Sequence, residues 1–230
     1  MKATCHCLAL LILAPVALAD GQTDEKSAVT SEALDADLKR VEELPSEQKF
    51  EHLGDLLLSL RAQSIKENTV ASTAAFTKVQ NQMLGTPGHA IHFAFHLRRL
   101  RTQSTLSLNS YPVYEAYAAR AFQILELLPS TETVRIVSSF LDDSWIPATA
   151  SDAGCPSVNA QRILGALLQD PPRTERPFDV PSWQSWRKAV DAGTRTFKLK
   201  GSNTESNFSG PAGNESSEQA TPSKGDKSSK

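Results

Sequence analysis

Three histidines on one predicted helix are the side chains best suited to chemistry. The helix follows Thr86-Pro87, a pair typical of a helix start, and carries His89, His92 and His96 at positions i, i+3 and i+7. At about 100° per residue, these side chains fall within roughly 60° of one another on one helix face. Imidazoles placed in this way can ligate zinc. His89, His92 and His96 are therefore candidate metal ligands.

The same histidines also suit a structural role. The segment from His92 to His96 lacks the glutamate that serves as general base in HExxH hydrolases. Phe93 and Leu100 lie on the same side of the predicted helix, as expected where histidines border an apolar core. The sequence favours this structural role, with no cofactor. Zinc binding, or a metal-dependent hydrolase built on the three histidines, is the alternative.

Arg98, Arg99 and Arg101 form a basic group near the end of the same helix. Cations at this end are favoured by the helix dipole, so a solvated helix end is the simplest interpretation. The alternative is that this group binds an anionic polymer such as an acidic glycan, a phosphate or a partner helix.

Other chemical signatures are weak. The acidic residues Asp142, Asp143 and Asp152 lack the spacing of an EF-hand calcium loop. Trp183 and Trp186 lie one turn apart, and with Trp145 they suit either packing of the last helix or an aromatic ligand platform. The sequence has no Gly-rich phosphate loop, nucleophile elbow or CxxC pair. A non-enzymatic role is therefore favoured.

The N-terminus predicts export. Lys2 precedes an apolar run that starts at Leu8, and Ala17-Leu18-Ala19 forms a cleavage pattern, so residues 1–19 are predicted to be a signal peptide. Residues 20–30 are polar and predicted to be flexible. We expect a periplasmic or secreted protein with no transmembrane segment after cleavage. Cys155 is then its single cysteine, which excludes an internal disulfide.

Composition predicts one domain with a core of its own. The chain has 230 residues, of which 40% are hydrophobic, and a formal net charge of −2. This length and composition suit one domain of about 150–200 residues. The near-neutral charge gives no indication of a nucleic-acid partner.

Apolar residues recurring every three or four positions predict an all-α domain over residues 31–200. Pro45 separates two helices that we expect to form an antiparallel hairpin. The pattern is weaker over residues 64–85, and residues 102–111 are predicted to be a polar linker. A short strand is expected at residues 195–200. Residues 201–230 are low in complexity and predicted to be a disordered tail.

The C-terminal half has a repeat-like spacing. Predicted helix starts near 113, 131, 157 and 182 give offsets of about 44 and 51 residues, close to the period of about 40–47 for HEAT and armadillo units. The segments LLPSTETVRIVSSFLDD, SVNAQRILGALLQDPP and VPSWQSWRKAVDAGTRTFKLKG resemble parts of HEAT-like repeat proteins that bacteria export. The resemblance covers residues 113–200. It implies antiparallel helix pairs.

Together these features predict an exported, non-enzymatic helical scaffold or interaction module with a protein partner. The alternative is a metal-binding protein or metal-dependent hydrolase that uses His89, His92 and His96.

Overall fold

The computed structural model describes residues 31–106, 111–145, 155–174 and 179–208. The predicted signal peptide and flexible N-terminus, and the tail from residue 209 onward, lie outside the described residues. The described chain is predominantly helical, which confirms the all-α prediction. Its helices are α1 (Ser31–Glu42), α2 (Ser46–Glu67), α3 (Val70–Leu84), α4 (His89–Leu106), α5 (Tyr111–Glu126), α6 (Thr131–Ser138), a 3-10 helix (Ser139–Asp142), α7 (Pro156–Leu167) and α8 (Val180–Asp191).

Helices α2 and α3 form a hairpin whose turn is set by local chemistry. Helix α2 ends where Asn68 takes the left-handed conformation, with φ of 49°, which asparagine tolerates better than most residues. Thr69 then caps α3 by accepting the Ser72 backbone N–H, and Ser72 reciprocates. Residues 64–85, where the helical pattern is weaker, contain the last turn of α2 and the whole of α3. The N-cap of α2 is Pro45, which makes no side-chain cap bond.

The predicted linker over residues 102–111 is wrong at both ends. Helix α4 continues to Leu106, and the Thr102 hydroxyl points back along it to donate to the Arg98 carbonyl at 3.0 Å. Helix α5 begins at Tyr111, so Pro112 lies in its first turn rather than before it. The first turn tolerates proline because its missing N–H would have no helical partner there.

The later helices begin and end with standard signals. Ser130 caps α6 by accepting the backbone N–H of Thr133 at 3.0 Å, and Asp179 caps α8 in the same way. Helix α7 starts with Pro156. After α8, Gly193 has a φ of 68°, the left-handed conformation that commonly ends a helix.

A small hairpin follows α8. Strand β1 (Phe197–Lys198) pairs antiparallel with β2 (Glu205–Ser206). Lys200 donates its backbone N–H to Leu167 at 2.8 Å, which ties the hairpin to the end of α7. The predicted strand at residues 195–200 is therefore present but short. Phe208 packs on the core beyond it, so the packed chain runs past residue 200.

Helices α2, α4 and α5 pack against one another and build the part of the core that positions the candidate site. Gly54 faces this junction: a Cβ at this position would lie 2.6 Å from Cδ1 of Ile124 and 3.2 Å from Cζ of Phe93. The glycine therefore allows α2 to lie close to its neighbours. Helix α4 also contacts α6, so three neighbouring helices, α2, α5 and α6, cover part of its surface.

Candidate functional site

The packing of α2 on α4 brings a carboxylate to two of the three candidate histidines. Glu51, His92 and His96 each offer a ligand atom, and these atoms lie within 4.8 Å of one another. His92 and His96 are one turn apart on α4, so they present their rings to the same neighbour. The structure thus assembles a mixed imidazole and carboxylate cluster between two helices.

Glu51 is the most strongly held member of the cluster. Its Oε1 lies 2.8 Å from Nε2 of His92 and accepts a hydrogen bond from the Tyr117 hydroxyl at 2.8 Å. Arg120 donates to Oε2 and, at 2.9 Å, to the Glu51 backbone carbonyl. Burial raises the pKa of Glu51, but the bonds from His92, Arg120 and Tyr117 outweigh it and lower that pKa to about 2. Glu51 is therefore a carboxylate across the physiological range.

Tyr117 and Arg120 come from α5 and complete this polar junction of three helices. Burial and the Glu51 carboxylate raise the pKa of Tyr117, so its hydroxyl stays protonated and can donate. Burial lowers the pKa of Arg120, but bonds to Asp55 and Glu51 outweigh it and raise that pKa. Arg120 Nε donates to Asp55 at 2.7 Å. The guanidinium thus bridges two carboxylates on α2.

The neighbours of His96 define its tautomer. Nδ1 of His96 lies 3.0 Å from Nη2 of Arg99, and a guanidinium can only donate, so Nδ1 accepts. The ring proton of a neutral imidazole then lies on Nε2, which faces Oε1 of Glu47 at 3.1 Å. Burial, helped by His92 and Arg99, lowers the pKa of His96. Burial and the two neighbouring groups, His92 and Arg99, therefore favour the neutral ring of His96.

His89 lies apart from this cluster. It is almost fully buried, and its Nδ1 donates to the Thr86 carbonyl at 3.2 Å, which leaves Nε2 to accept from the Thr133 hydroxyl. Glu132 stands beside it and accepts the backbone N–H of Ala90 at 3.1 Å. His89 lies about 10 Å along α4 from His96. It therefore packs against α6 rather than α2. It anchors the start of α4.

Two of the three arginines in the basic group on α4 contact other parts of the chain. Arg98 donates to Ser139 Oγ at 2.7 Å and lies over the Phe140 ring, 5.0 Å from its centroid. Arg101 forms an ion pair with Asp143. These contacts fasten α4 to the region after α6.

The acidic and aromatic candidates also have packing roles. Asp142 pairs with Arg187 of α8, and Asp152 lies outside the described residues. Trp145 packs edge-on against Tyr114 with centroids 5.0 Å apart. Trp183 and Trp186 are buried and contact each other in a T-shaped pair. These contacts correspond to the packing interpretation of the three tryptophans.

Sequence reasoning did not find four of the residues at this site: Glu47, Glu51, Tyr117 and Arg120. A local signal existed for the first two, because Glu47 and Glu51 lie one turn apart on α2, beside the buried Phe50. Nothing in the local pattern indicates that this face of α2 meets α4.

Comparisons with known proteins add no relative. No family model matches the chain, and searches of curated proteins and of solved structures found no match. Within the described part of the chain, no helix is both long enough and apolar enough to cross a membrane.

Proposed function

We propose that the protein is a non-enzymatic helical interaction module whose binding element is helix α4. The observation that carries the proposal is the division of this helix into two faces. His92 and His96 point to the polar cluster, whereas Ile91 and Phe95 are 49% and 59% exposed. Ile91 and Phe95 are one turn apart, the spacing at which neighbouring side chains form a continuous apolar surface.

The polar contacts of the site support a binding role over a catalytic one. His92 and His96 on α4 pair with Glu51 and Glu47 on α2, and Glu51 also accepts from Tyr117 on α5, so these contacts hold helices together. A general base would instead face the position of a substrate proton. The resemblance to exported HEAT-like proteins and the predicted signal peptide suit a module that meets its partner outside the cytoplasm.

Substitution of the exposed face tests this proposal. We expect Ile91→Asp/Phe95→Asp to abolish retention of a protein partner by the immobilised chain. The two aspartates would remove the apolar surface that Ile91 and Phe95 bury against the partner. Val70→Asp is the matched control, since Val70 is 89% exposed on another helix. Each immobilised chain would be exposed to an extract of the source organism's exported proteins, and the retained proteins would be compared by quantitative mass spectrometry. Circular dichroism would confirm that all variants fold.

A protein retained by the wild type and Val70→Asp, but not by the double variant, supports the proposal. Equal retention by all three chains contradicts it.

Metal binding is the second candidate function. The observation that favours it is the close approach of ligand atoms from Glu51, His92 and His96. The ligand set therefore differs from the three-histidine set that the sequence suggests, because Glu51 takes the place of His89. Stoichiometric metal in the purified protein is its direct test.

A further inference from the structure

The carboxylates of α2 and the imidazoles of α4 form two facing pairs. Nε2 of His92 lies 2.8 Å from Oε1 of Glu51, and Nε2 of His96 lies 3.1 Å from Oε1 of Glu47. Within each helix the two side chains are four residues apart, so each helix presents its pair on one face. Ligand atoms of Glu51, His92 and His96 lie within 4.8 Å of one another, and the exposed Glu47 side chain faces His96. Two such pairs on adjacent helices are suited to enclosing one cation.

We propose that one divalent transition-metal ion of the Zn²⁺ class links α2 to α4 through both carboxylates and both imidazoles, and that Arg99 opposes its binding. The ligands are Glu47, Glu51, His92 and His96. This inference rests on the metal-binding candidate function. It names the ligands, the class of ion and the residue, Arg99, that opposes binding. It is independent of partner binding at Ile91 and Phe95.

The donor set selects the class of ion. Two imidazole nitrogens suit zinc and its neighbours in the transition series, whereas Ca²⁺ and Mg²⁺ are bound through oxygen. Ligand atoms around tetrahedral zinc are about 3.3 Å apart, given bond lengths of about 2.0–2.2 Å. The facing pairs, at 2.8 and 3.1 Å, are already close to this separation. Glu51, His92 and His96 already offer ligand atoms within 4.8 Å of one another, and the exposed Glu47 side chain must move to join them and complete the site.

Four protein ligands make this a structural site. A catalytic zinc keeps an open position for water or substrate, whereas a closed four-ligand shell contributes folding energy. Access is from the α2 side: the Glu47 side chain is 63% exposed, while that of His96 is only 9% exposed. An ion entering beside Glu47 would reach His96 Nε2 directly.

Arg99 opposes the metal-bound state through the tautomer of His96. When Nε2 of a neutral imidazole binds a metal, the ring proton moves to Nδ1. Nδ1 of His96 would then face the Arg99 guanidinium, and two donors would meet where a donor and an acceptor now lie 3.0 Å apart. Arg99 is exposed and can turn into solvent, but that movement forfeits its bond. An acceptor at position 99 would instead support the bound tautomer.

Zinc titration of the full chain by calorimetry tests the site. All proteins would carry Cys5→Ser and Cys7→Ser, because these two thiols flank His6 and could bind zinc themselves. We expect one Zn²⁺ per chain and a raised melting temperature on binding. Ca²⁺ should not compete, and Co²⁺ should give visible absorption typical of a tetrahedral site.

Substitutions identify the ligands. His96→Ala should weaken zinc binding by at least about 100-fold, and Glu47→Gln by about tenfold. Glu47 is an exposed residue, so its variant keeps the test valid if His96→Ala fails to fold. His52→Ala is the control, since His52 is exposed on α2 and lies outside the cluster. Arg99→Gln should tighten binding by about tenfold, because the amide oxygen can accept from Nδ1–H.

The outcomes separate the site from the candidate function. Stoichiometric zinc that survives Glu47→Gln and His96→Ala unchanged would leave metal binding in place but overturn this ligand set. Binding that Arg99→Gln weakens would overturn the role of Arg99. No zinc uptake by the wild type or Arg99→Gln would overturn both the site and the metal-binding function.

Discussion

His92 and Glu51 join two helices that are distant in sequence: Nε2 of His92 on α4 lies 2.8 Å from Oε1 of Glu51 on α2. The same carboxylate oxygen accepts the Tyr117 hydroxyl from α5. One side chain thus connects three helices, and its loss would leave several buried or half-buried donors unsatisfied. Such a loss costs more than the net gain of one ordinary hydrogen bond.

Glu51→Gln should therefore lower the free energy of unfolding of the metal-free protein by about 2 kcal/mol. The amide removes the charge that Arg120 neutralises, and its NH2 group places a donor where the carboxylate accepts. Urea denaturation of both proteins measures the difference. The control is Glu67→Gln at the exposed end of α2, where Glu67 accepts only from Gln63 within the described chain. We expect that variant to stay within about 0.5 kcal/mol of wild type; equal losses in both variants would contradict the prediction.

The contribution of Glu51 should also disappear in acid. Its pKa is about 2 in the folded protein, against a reference value of 4.5. As the pH falls below 4.5, the unfolded chain takes up this proton before the folded one does. The stabilisation by Glu51 is complete well above pH 4.5 and is lost as the pH falls toward 2.

Wild type and Glu51→Gln should therefore converge in stability on acidification. The free energy of unfolding of both proteins, measured at steps from about pH 5 to about pH 3, gives their difference at each pH. Other carboxylates titrate in both proteins and cancel in that difference, to the extent that they do not contact Glu51. A difference that stays constant over this interval would show that the folded pKa of Glu51 is not lowered.

The helices were largely predictable because their signals are local. Apolar spacing and Pro45 act within a few residues, and they correctly indicated most helix positions. The linker after Arg101 was mispredicted because polar side chains there are satisfied by their own helix. The composition of an exposed helix end resembles that of a loop.

The candidate site was only half predictable for the opposite reason. Helical periodicity places His89, His92 and His96 on one face, but it does not say which neighbour each ring meets. His89 meets α6, whereas the other two meet α2. Tyr117 and Arg120 carry no motif at all, and they join the site only because α5 packs beside α2. Tertiary neighbours of this kind are not encoded in local spacing.

Gly54→Ala should destabilise the protein although alanine favours helices. The new Cβ would lie 2.6 Å from Ile124 Cδ1 and 3.2 Å from Phe93 Cζ, and both of these side chains are fully buried. Overpacking at this junction should lower the free energy of unfolding by about 1–2 kcal/mol. In the control, Gly165→Ala, the new Cβ has no neighbour within 4 Å, so this change in α7 should stabilise by up to about 1 kcal/mol. Thermal unfolding of the two variants should therefore shift in opposite directions; a rise in both melting temperatures would show that α2 and α5 separate at little cost.

Phe208→Ala should loosen the C-terminal hairpin and expose Trp186. The Phe208 ring lies 5.5 Å from that of Phe197 and 6.3 Å from that of Trp186, centroid to centroid. Because Phe208 is only half-buried, removal of its ring should cost about 1–2 kcal/mol of unfolding free energy, less than truncation of a fully buried aromatic. Tryptophan fluorescence should shift to longer wavelength as water reaches the indole. Thr204→Ala, at an exposed position between the strands, is the control and should leave both measurements unchanged. If Phe208→Ala behaves like that control, the packing of the Phe208 ring on Phe197 and Trp186 contributes nothing to stability.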